Sequence, residues 1–188
     1  MGLTLDYFHK TTKDLITTNT PPIEAGNAAS PINGGNVLNR GFEVELSWRD
    51  NIRDFSYGIS ANLSTLHNEV TYLDPSISRL NGASVNNSQW PSATAFEKGY
   101  PVWYFRGYKT NGIDPETGDI NIIDTNGDGV INTTDFTYVG SAIPDITYGA
   151  TVNLAYKGFD FTMFLQGQAG NDILMGILRT DRPTANKA

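Results

Sequence analysis

The sequence predicts an all-β chain of antiparallel, up-and-down strands. Three observations carry this. Apolar and polar residues alternate with period two over five segments, as strands with one apolar face require. Short turns alternate with very long loops. The 188 residues are 39% hydrophobic and 18% charged, with 19 Gly and 9 Pro, unlike the Ala-, Leu-, Glu- and Lys-rich composition of a helical bundle. An aromatic content of 11% also argues against disorder over the whole chain. Two architectures share these features: a soluble sandwich with one covered face per strand, and the wall of a transmembrane β-barrel with long extracellular loops.

The elements follow in order. Residues 3–10 place Leu3, Leu5 and Tyr7 on one face. Residues 18–38, rich in Pro, Gly and Asn, read as a long loop, with Asn33-Gly34-Gly35-Asn36 as a turn. Residues 41–49 set Phe42, Val44, Leu46 and Trp48 against Glu43, Glu45, Ser47 and Arg49. A short polar link from Arg49 to Phe55 leads to residues 55–64, where Phe55, Tyr57, Ile59, Ala61 and Leu63 share a face. Residues 65–146 form one very long insertion. Residues 147–156 then place Tyr148, Ala150, Val152, Leu154 and Tyr156 together. Lys157-Gly158 makes a tight hairpin turn. The last strand, 159–168, carries Phe159, Phe161, Met163 and Leu165 on one face, and its alternation breaks once, at Phe164.

Two details favour the membrane wall. Aromatic residues sit near the ends of the apolar faces, where interface girdles lie. The strands also run about 9–10 residues, enough to cross a bilayer at a tilt. Neither detail removes the sandwich. Connections as long as 65–146 are uncommon in compact soluble domains.

Charge and composition exclude several functions. A net charge of −7 provides no basic stripe for nucleic acid. Cysteine is absent, so no disulfide, thiolate metal site or Cys nucleophile exists. No apolar run is long enough for a transmembrane helix, a test blind to β spans. His9 and His67 lack metal-ligand neighbours, and Glu43 with Glu45 reads as two solvated carboxylates on one face. No nucleophile elbow or phosphate loop is present. The chain is not expected to be an enzyme.

One spacing carries chemistry. Asp124 to Asp135 has the pattern of a twelve-residue calcium loop, which draws oxygens from positions 1, 3, 5, 7, 9 and 12 around a glycine at position 6. The expected ligands are Asp124, Asn126, Asp128, the Val130 carbonyl, Asn132 and Asp135, with Gly129 at the turn. Asp replaces the usual Glu at the last position, which shortens its reach. The flanks are not those of a helix–loop–helix unit, because Gly118 to Ile123 reads as a short strand. The competing reading is an Asn/Gly-rich turn without metal. In the same insertion, Trp90, Trp103, Tyr104 and Tyr108 have the rings to stack on sugars, or equally to form the small core that the insertion needs.

Several segments together resemble the SusC/RagA-type TonB-linked outer-membrane transporters. Asn33 to Leu46, with its Asn-Arg-Gly-Phe-Glu-Val-Glu-Leu run, is similar to that family's "N-x-G-x-E-x-x-L" strand. Gly99-Tyr100-Pro101 through Gly107-Tyr108 to Asn111-Gly112-Ile113 resembles its "G-x-P…G-y…G-i" insertion. The Asp124–Asp135 loop, Gly140, Pro144, Tyr148-Gly149, Tyr156-Lys157-Gly158-Phe159-Asp160, Gln166-Gly167 and Gly170-Asn171 follow in the family's order.

The resemblance covers nearly the whole chain and implies that residues 1–188 are a partial TonB-dependent receptor β-barrel domain from the C-terminal half of the barrel. The plug and TonB-contacting part would lie elsewhere in the protein. It implies an outer-membrane location, contact with lipid, and import of nutrients such as oligosaccharides or peptides. It also implies a SusD-like surface lipoprotein as partner and the TonB complex as energy source. Residues 65–146 would face outside, and Glu43, Glu45, Arg49, Asn62 and Gln166 would line a polar lumen. The rival expectation is a soluble secreted calcium-binding β-module with a carbohydrate-binding or adhesive role. The apolar strand faces decide between them: packed under a second sheet in the module, one uncovered band in the barrel.

Overall fold

The computed structural model describes residues 1–19, 30–82 and 92–174. Its main sheet has the order β1-β2-β3-β11-β12: β1 (Gly2–Asn19), β2 (Ser30–Ile52), β3 (Phe55–Thr65), β11 (Ile146–Tyr156) and β12 (Phe159–Ala169). All neighbours are antiparallel. The insertion runs from β3 to β11. It contributes β4 (His67–Leu73), β5 (Leu80–Asn81), β6 (Thr94–Phe96), β7 (Tyr104–Gly107), β8 (Thr110–Ile113), β9 (Ile120–Ile122) and β10 (Thr137–Gly140). A 3-10 turn spans Thr133–Asp135. Among the described residues no helix is long and apolar enough to cross a membrane.

Residues directly opposite across an antiparallel pair share a face, so the register defines both surfaces of the sheet. One surface carries the rows Leu3–Leu46–Ala61–Ala150–Leu165, Trp48–Ile59–Val152–Met163 and Ile52–Phe55–Tyr156–Phe159. The other carries Thr4–Glu45–Asn62–Gly149–Gln166 and Arg49–Gly58–Asn153–Thr162. The apolar surface is uncovered: Leu5 is 68% exposed, Phe42 60% and Leu165 52%. From Phe42 to Ile52 the band spans eleven residues, or ten residue steps. At about 3.3 Å per residue and a barrel-like tilt of about 40°, it stands about 25 Å tall. That is the lipid-facing height of an outer-membrane barrel, and among the described residues no second sheet packs on it. The expected segments 55–64, 147–156 and 159–168 correspond to β3, β11 and β12.

The turns at the lower end are tight. Lys157 (φ +47°) and Gly158 (φ +88°) form a two-residue turn with positive φ at both positions, the twist that suits a hairpin. Only Arg53 and Asp54 join β2 to β3, so strand replaces most of the expected Arg49–Phe55 link.

Two sequence expectations are corrected at the upper end. Residues 18–38 are not simply a loop. Ser30–Leu38 belongs to β2, and Asn33 to Asn36 is extended strand rather than a turn, paired with β1 and, at Gly35 and Asn36, with β4. These strands run past the apolar band, so alternation is no longer imposed and the Gly- and Asn-rich stretch hides its pairing. β2 changes partner at Gly41. Below it, Glu43 pairs with Ser64 of β3; above it, Arg40 pairs with His67 of β4. A Cβ on Gly41 would overlap the Thr65 carbonyl and come within 2.9 Å of the Phe8 ring.

The buried core lies above the band. Val37, Val70, Leu73 and Phe96 form it, with Leu15, Ile77, Leu80 and Val102 packed around them. β4 is held on both edges, by β2 on one side and by Val70 N–H donating to the Tyr100 carbonyl (2.9 Å) on the other.

Candidate functional site

The insertion builds its site on a four-stranded sheet of order β10-β7-β6-β5. Tyr104 and Arg106 alternate to one face of β7, and Tyr138 lies opposite Arg106 on β10. Tyr100, Tyr104 and Tyr138 form a stack, with ring centroids 4.6–5.9 Å apart. The Tyr104 hydroxyl donates to Glu97 Oε2 at 2.7 Å. Burial, then that bond, pushes the phenol well above its usual range. The Arg106 side chain is buried, donates from Nη2 to the Phe136 carbonyl at 3.3 Å, and lies over the Phe136 ring at 5.3 Å. Its pKa is lowered, first by burial and then by the nearby Arg79 charge.

The calcium-type loop hangs from this sheet. The hairpin β8–β9 leads into it. Phe136, the residue after the loop, meets Tyr108 edge-on at 4.5 Å. Within the loop, Asp124 accepts N–H bonds from Gly127 (2.7 Å) and Gly129 (2.8 Å). Asn126 Oδ1 accepts from Asp128 N–H at 2.9 Å, and Asp128 Oδ1 accepts from Val130 N–H at 2.8 Å. Asp135 is fully buried. Its carboxylate accepts from the backbone N–H groups of Asn132 (2.9 Å) and Thr125 (2.9 Å). The Asn132 bond first, with those of Thr125 and Asn126, holds the Asp135 carboxyl below its ordinary value of 3.8 despite the opposing effect of burial.

The donor set is entirely hard oxygen, the kind calcium takes. Asp124, Asn126, Asp128, Val130 and Asn132 all lie on one loop, with Asn126 and Asp128 exposed and Asp124 and Asn132 half-buried. Asp135 is buried, and like Asp124 it accepts backbone N–H bonds with both carboxylate oxygens. Among the described residues, no three acidic, His or Cys side chains converge as metal ligands.

The aromatic candidates separate. Tyr104 is only 3% exposed and is part of the packed sheet, so its ring offers no open stacking face. Tyr108 is half-buried against Phe136. Trp103 is 43% exposed, tilted on Phe96 at 5.8 Å, and held at φ +53°, a backbone region uncommon for a bulky residue. Trp90 lies outside the described residues. Arg106 and Phe136, which anchor the loop, escaped the sequence reading. Their signals were slight: Arg106 sits within the quoted Tyr104-Phe105-Arg106-Gly107 run, and Phe136 directly follows the last loop position.

With this geometry established, residues 1–164 match the family described as TonB dependent receptor-like, β-barrel. The chain belongs to this family. TonB-dependent receptor P26 of Formosa agariphila is 30% identical over 183 residues, covering 90% of this chain and 18% of that protein. TonB-dependent receptor SusC of Bacteroides thetaiotaomicron is 26% identical, covering 93% of this chain and 18% of SusC. Among solved structures, the RagAB peptide importer in its "open-open" state superposes with a TM-score of 0.74 at 23% identity, over 90% of this chain and 18% of that one. The chain therefore spans about a fifth of the length of these relatives. Its main sheet is a sector of a TonB-dependent receptor barrel, and the SusC/RagA resemblance of the sequence is a true relationship.

Proposed function

We propose that this TonB-dependent receptor chain is one sector of an outer-membrane transporter that imports nutrients such as oligosaccharides or peptides. The uncovered apolar band, about 25 Å tall at the usual strand rise and tilt, is the observation that carries the reading. A soluble secreted module would have to hide Phe42, Leu46, Ile59 and Phe161 under a second layer, and all four are exposed. The polar surface, with Glu43, Glu45, Arg49, Asn62 and Gln166, then faces the lumen, and the insertion faces outside. The SusC/RagA resemblance implies a SusD-like surface lipoprotein as the partner over the barrel mouth, with TonB engaged through another part of the receptor. The work is transport, not catalysis.

In this reading the Asp124–Asp135 loop holds calcium through Asp124, Asn126, Asp128, the Val130 carbonyl, Asn132 and Asp135. The ion would stiffen the insertion's return into β11. Trp103 would be the exposed ring available to a solute or to the lipoprotein.

The test is uptake by cells that express the receptor with its lipoprotein. Labelled oligosaccharides and peptides should enter in a TonB-dependent manner. Equal uptake with and without TonB, or a receptor recovered in the soluble fraction, would sink the proposal.

A further inference from the structure

Above the apolar band the same surface of the sheet turns basic. From the Trp48–Ile59 row up to the Tyr7–Phe42 row that surface carries no charged residue. The next row up is His9–Arg40–His67. No register shift separates the two rows, since the first irregularity in the β1–β2 pairing comes after Thr12. Arg40, two residues from Phe42, therefore lies on the same surface. The core that β2 forms with the insertion lies on the opposite surface, where Val37 meets Val70. Three basic side chains in one row stand out in a chain with 20 acidic residues and 13 Lys and Arg.

Height decides what this row meets. In a closed barrel the remaining strands join the sheet at its edges, β1 and β12, and leave the outward surface to the membrane. Tyr7 and Phe42, with ring centroids 4.9 Å apart, stand where an aromatic girdle marks the edge of the hydrocarbon. One row is two residues, about 6.6 Å along the strand and about 5 Å along the membrane normal at a tilt of about 40°. The headgroup layer beyond the hydrocarbon is about 5–8 Å thick, so the basic row lies within it. The insertion end faces outside, which makes this the outer leaflet.

The side chains suit a phosphate. The Arg40 guanidinium is a planar fork of donors that matches phosphate oxygens, and each imidazole can donate a ring N–H. Two strand spacings separate His9 from His67, about 10 Å, so all three lie within reach of one phosphate group. The nearest carboxylate, Glu69, belongs to the next row with Leu38 and lies against His67 (Nε2 to Oε2, 3.2 Å). Arg40 makes no ion pair among the described residues.

We propose that His9, Arg40 and His67 form a site for the phosphate of an outer-leaflet lipid headgroup. The proposal rests on the transporter reading, which turns the apolar band toward lipid, and adds a specific lipid contact to it.

The test uses the intact receptor in a non-ionic detergent. The probes are monophosphoryl lipid A, the same lipid without its phosphate, and inorganic phosphate, and native mass spectrometry reads the lipid retained. The phosphorylated lipid should be retained at least fivefold better than its phosphate-free form. Arg40→Ala should weaken retention by about fivefold, the worth of one basic side chain beside an anionic leaflet, and Arg40→Lys, which keeps the charge, should stay within about twofold. Lys10→Ala removes a charge at nearly the same height on the opposite surface, across from Asn39, and should change nothing. Should Arg40→Ala lower the amount of folded receptor, His9→Gln with His67→Gln takes its place, with a loss of about threefold expected. The proposal is overturned if the two lipids are retained alike, if Arg40→Ala or the histidine pair in its place leaves retention unchanged, or if Lys10→Ala acts as Arg40→Ala does. Displacement of the lipid by millimolar inorganic phosphate would make this a free-anion site and overturns it. Weakened co-purification of the lipoprotein with unchanged lipid retention would give the row to that protein and also overturns it. A receptor found in the outer membrane, with TonB-dependent uptake but no preference for the phosphorylated lipid, removes the lipid site alone. Recovery of the receptor in the soluble fraction removes the transporter reading.

Discussion

Asp135 and Thr125 clasp each other across the calcium-type loop. Asp135 Oδ1 accepts the Thr125 backbone N–H at 2.9 Å, and the Thr125 hydroxyl donates to the Asp135 backbone carbonyl at 2.9 Å. The same carboxylate accepts Asn132 N–H, so one buried side chain ties the start of the loop to its end.

Asp135→Asn should therefore open the loop, although it keeps size and shape. One carboxylate oxygen becomes an NH₂ group facing a backbone N–H, and that donor is left unpaired. Amide exchange at Thr125 and Asn132 should accelerate, with β3, β11 and β12 unaffected. The pH dependence follows from the lowered carboxyl pKa. A depressed carboxyl contributes stability above its unfolded value and loses it as pH falls through the folded value. Protection of these amides in the wild type should hold from neutral pH down past 3.8 and fall only below it; loss already at pH 5 would refute the account.

Calcium should bind the wild-type receptor and protect the same two amides further. Asp124→Ala with Asp128→Ala removes two of three carboxylates and should abolish the binding heat, because carboxylate charge count governs affinity in such loops. Absence of wild-type binding at millimolar calcium, or binding that survives the double substitution, removes the metal.

β3, β11 and β12 were legible to within a residue, because an apolar surface on one side and a polar surface on the other enforce period two, whereas β1 and β2 run well past the expected 3–10 and 41–49. Above the band that constraint ends. Ser30–Leu38 pairs with β1 and β4, with register shifts, yet spells Pro-Ile-Asn-Gly-Gly-Asn, a turn-like sequence, and β4 was hidden inside the insertion. The twelve-residue spacing from Asp124 to Asp135 stands out in the sequence because such loops fix their oxygen positions along the chain. The Phe136–Arg106 anchor was not, since those residues lie thirty positions apart and meet only through the pairing of β7 with β10.

The partner switch at Gly41 makes a sharp prediction. Gly41→Ala places a methyl against the Thr65 carbonyl, a backbone atom that cannot rotate away. It should disrupt the junction of β3 with β4 and expose residues 65–73 to protease. Phe96→Ala, in the core that β4 helps to form, should destabilise the insertion by about 3–5 kcal/mol without moving the barrel strands. Restricted proteolysis of intact cells separates the two, since Gly41→Ala should also reduce the amount of folded receptor.

The two surfaces of the sheet should respond oppositely to charge. Ile59 lies mid-band between Trp48 and Val152. Ile59→Arg should cost about 2–4 kcal/mol at the bilayer midplane and lower the yield of heat-modifiable receptor in the outer membrane. Asn153, opposite Gly58 on the polar surface, is at nearly the same depth. Asn153→Lys should leave that yield unchanged, because the new ammonium group stays in water and near Asp160, two residues from its cross-strand partner Thr162. If both substitutions lower the yield alike, depth rather than facing controls the cost, and the apolar band does not face lipid. If Ile59→Arg is tolerated while Asn153→Lys is not, the assignment of the two surfaces is reversed.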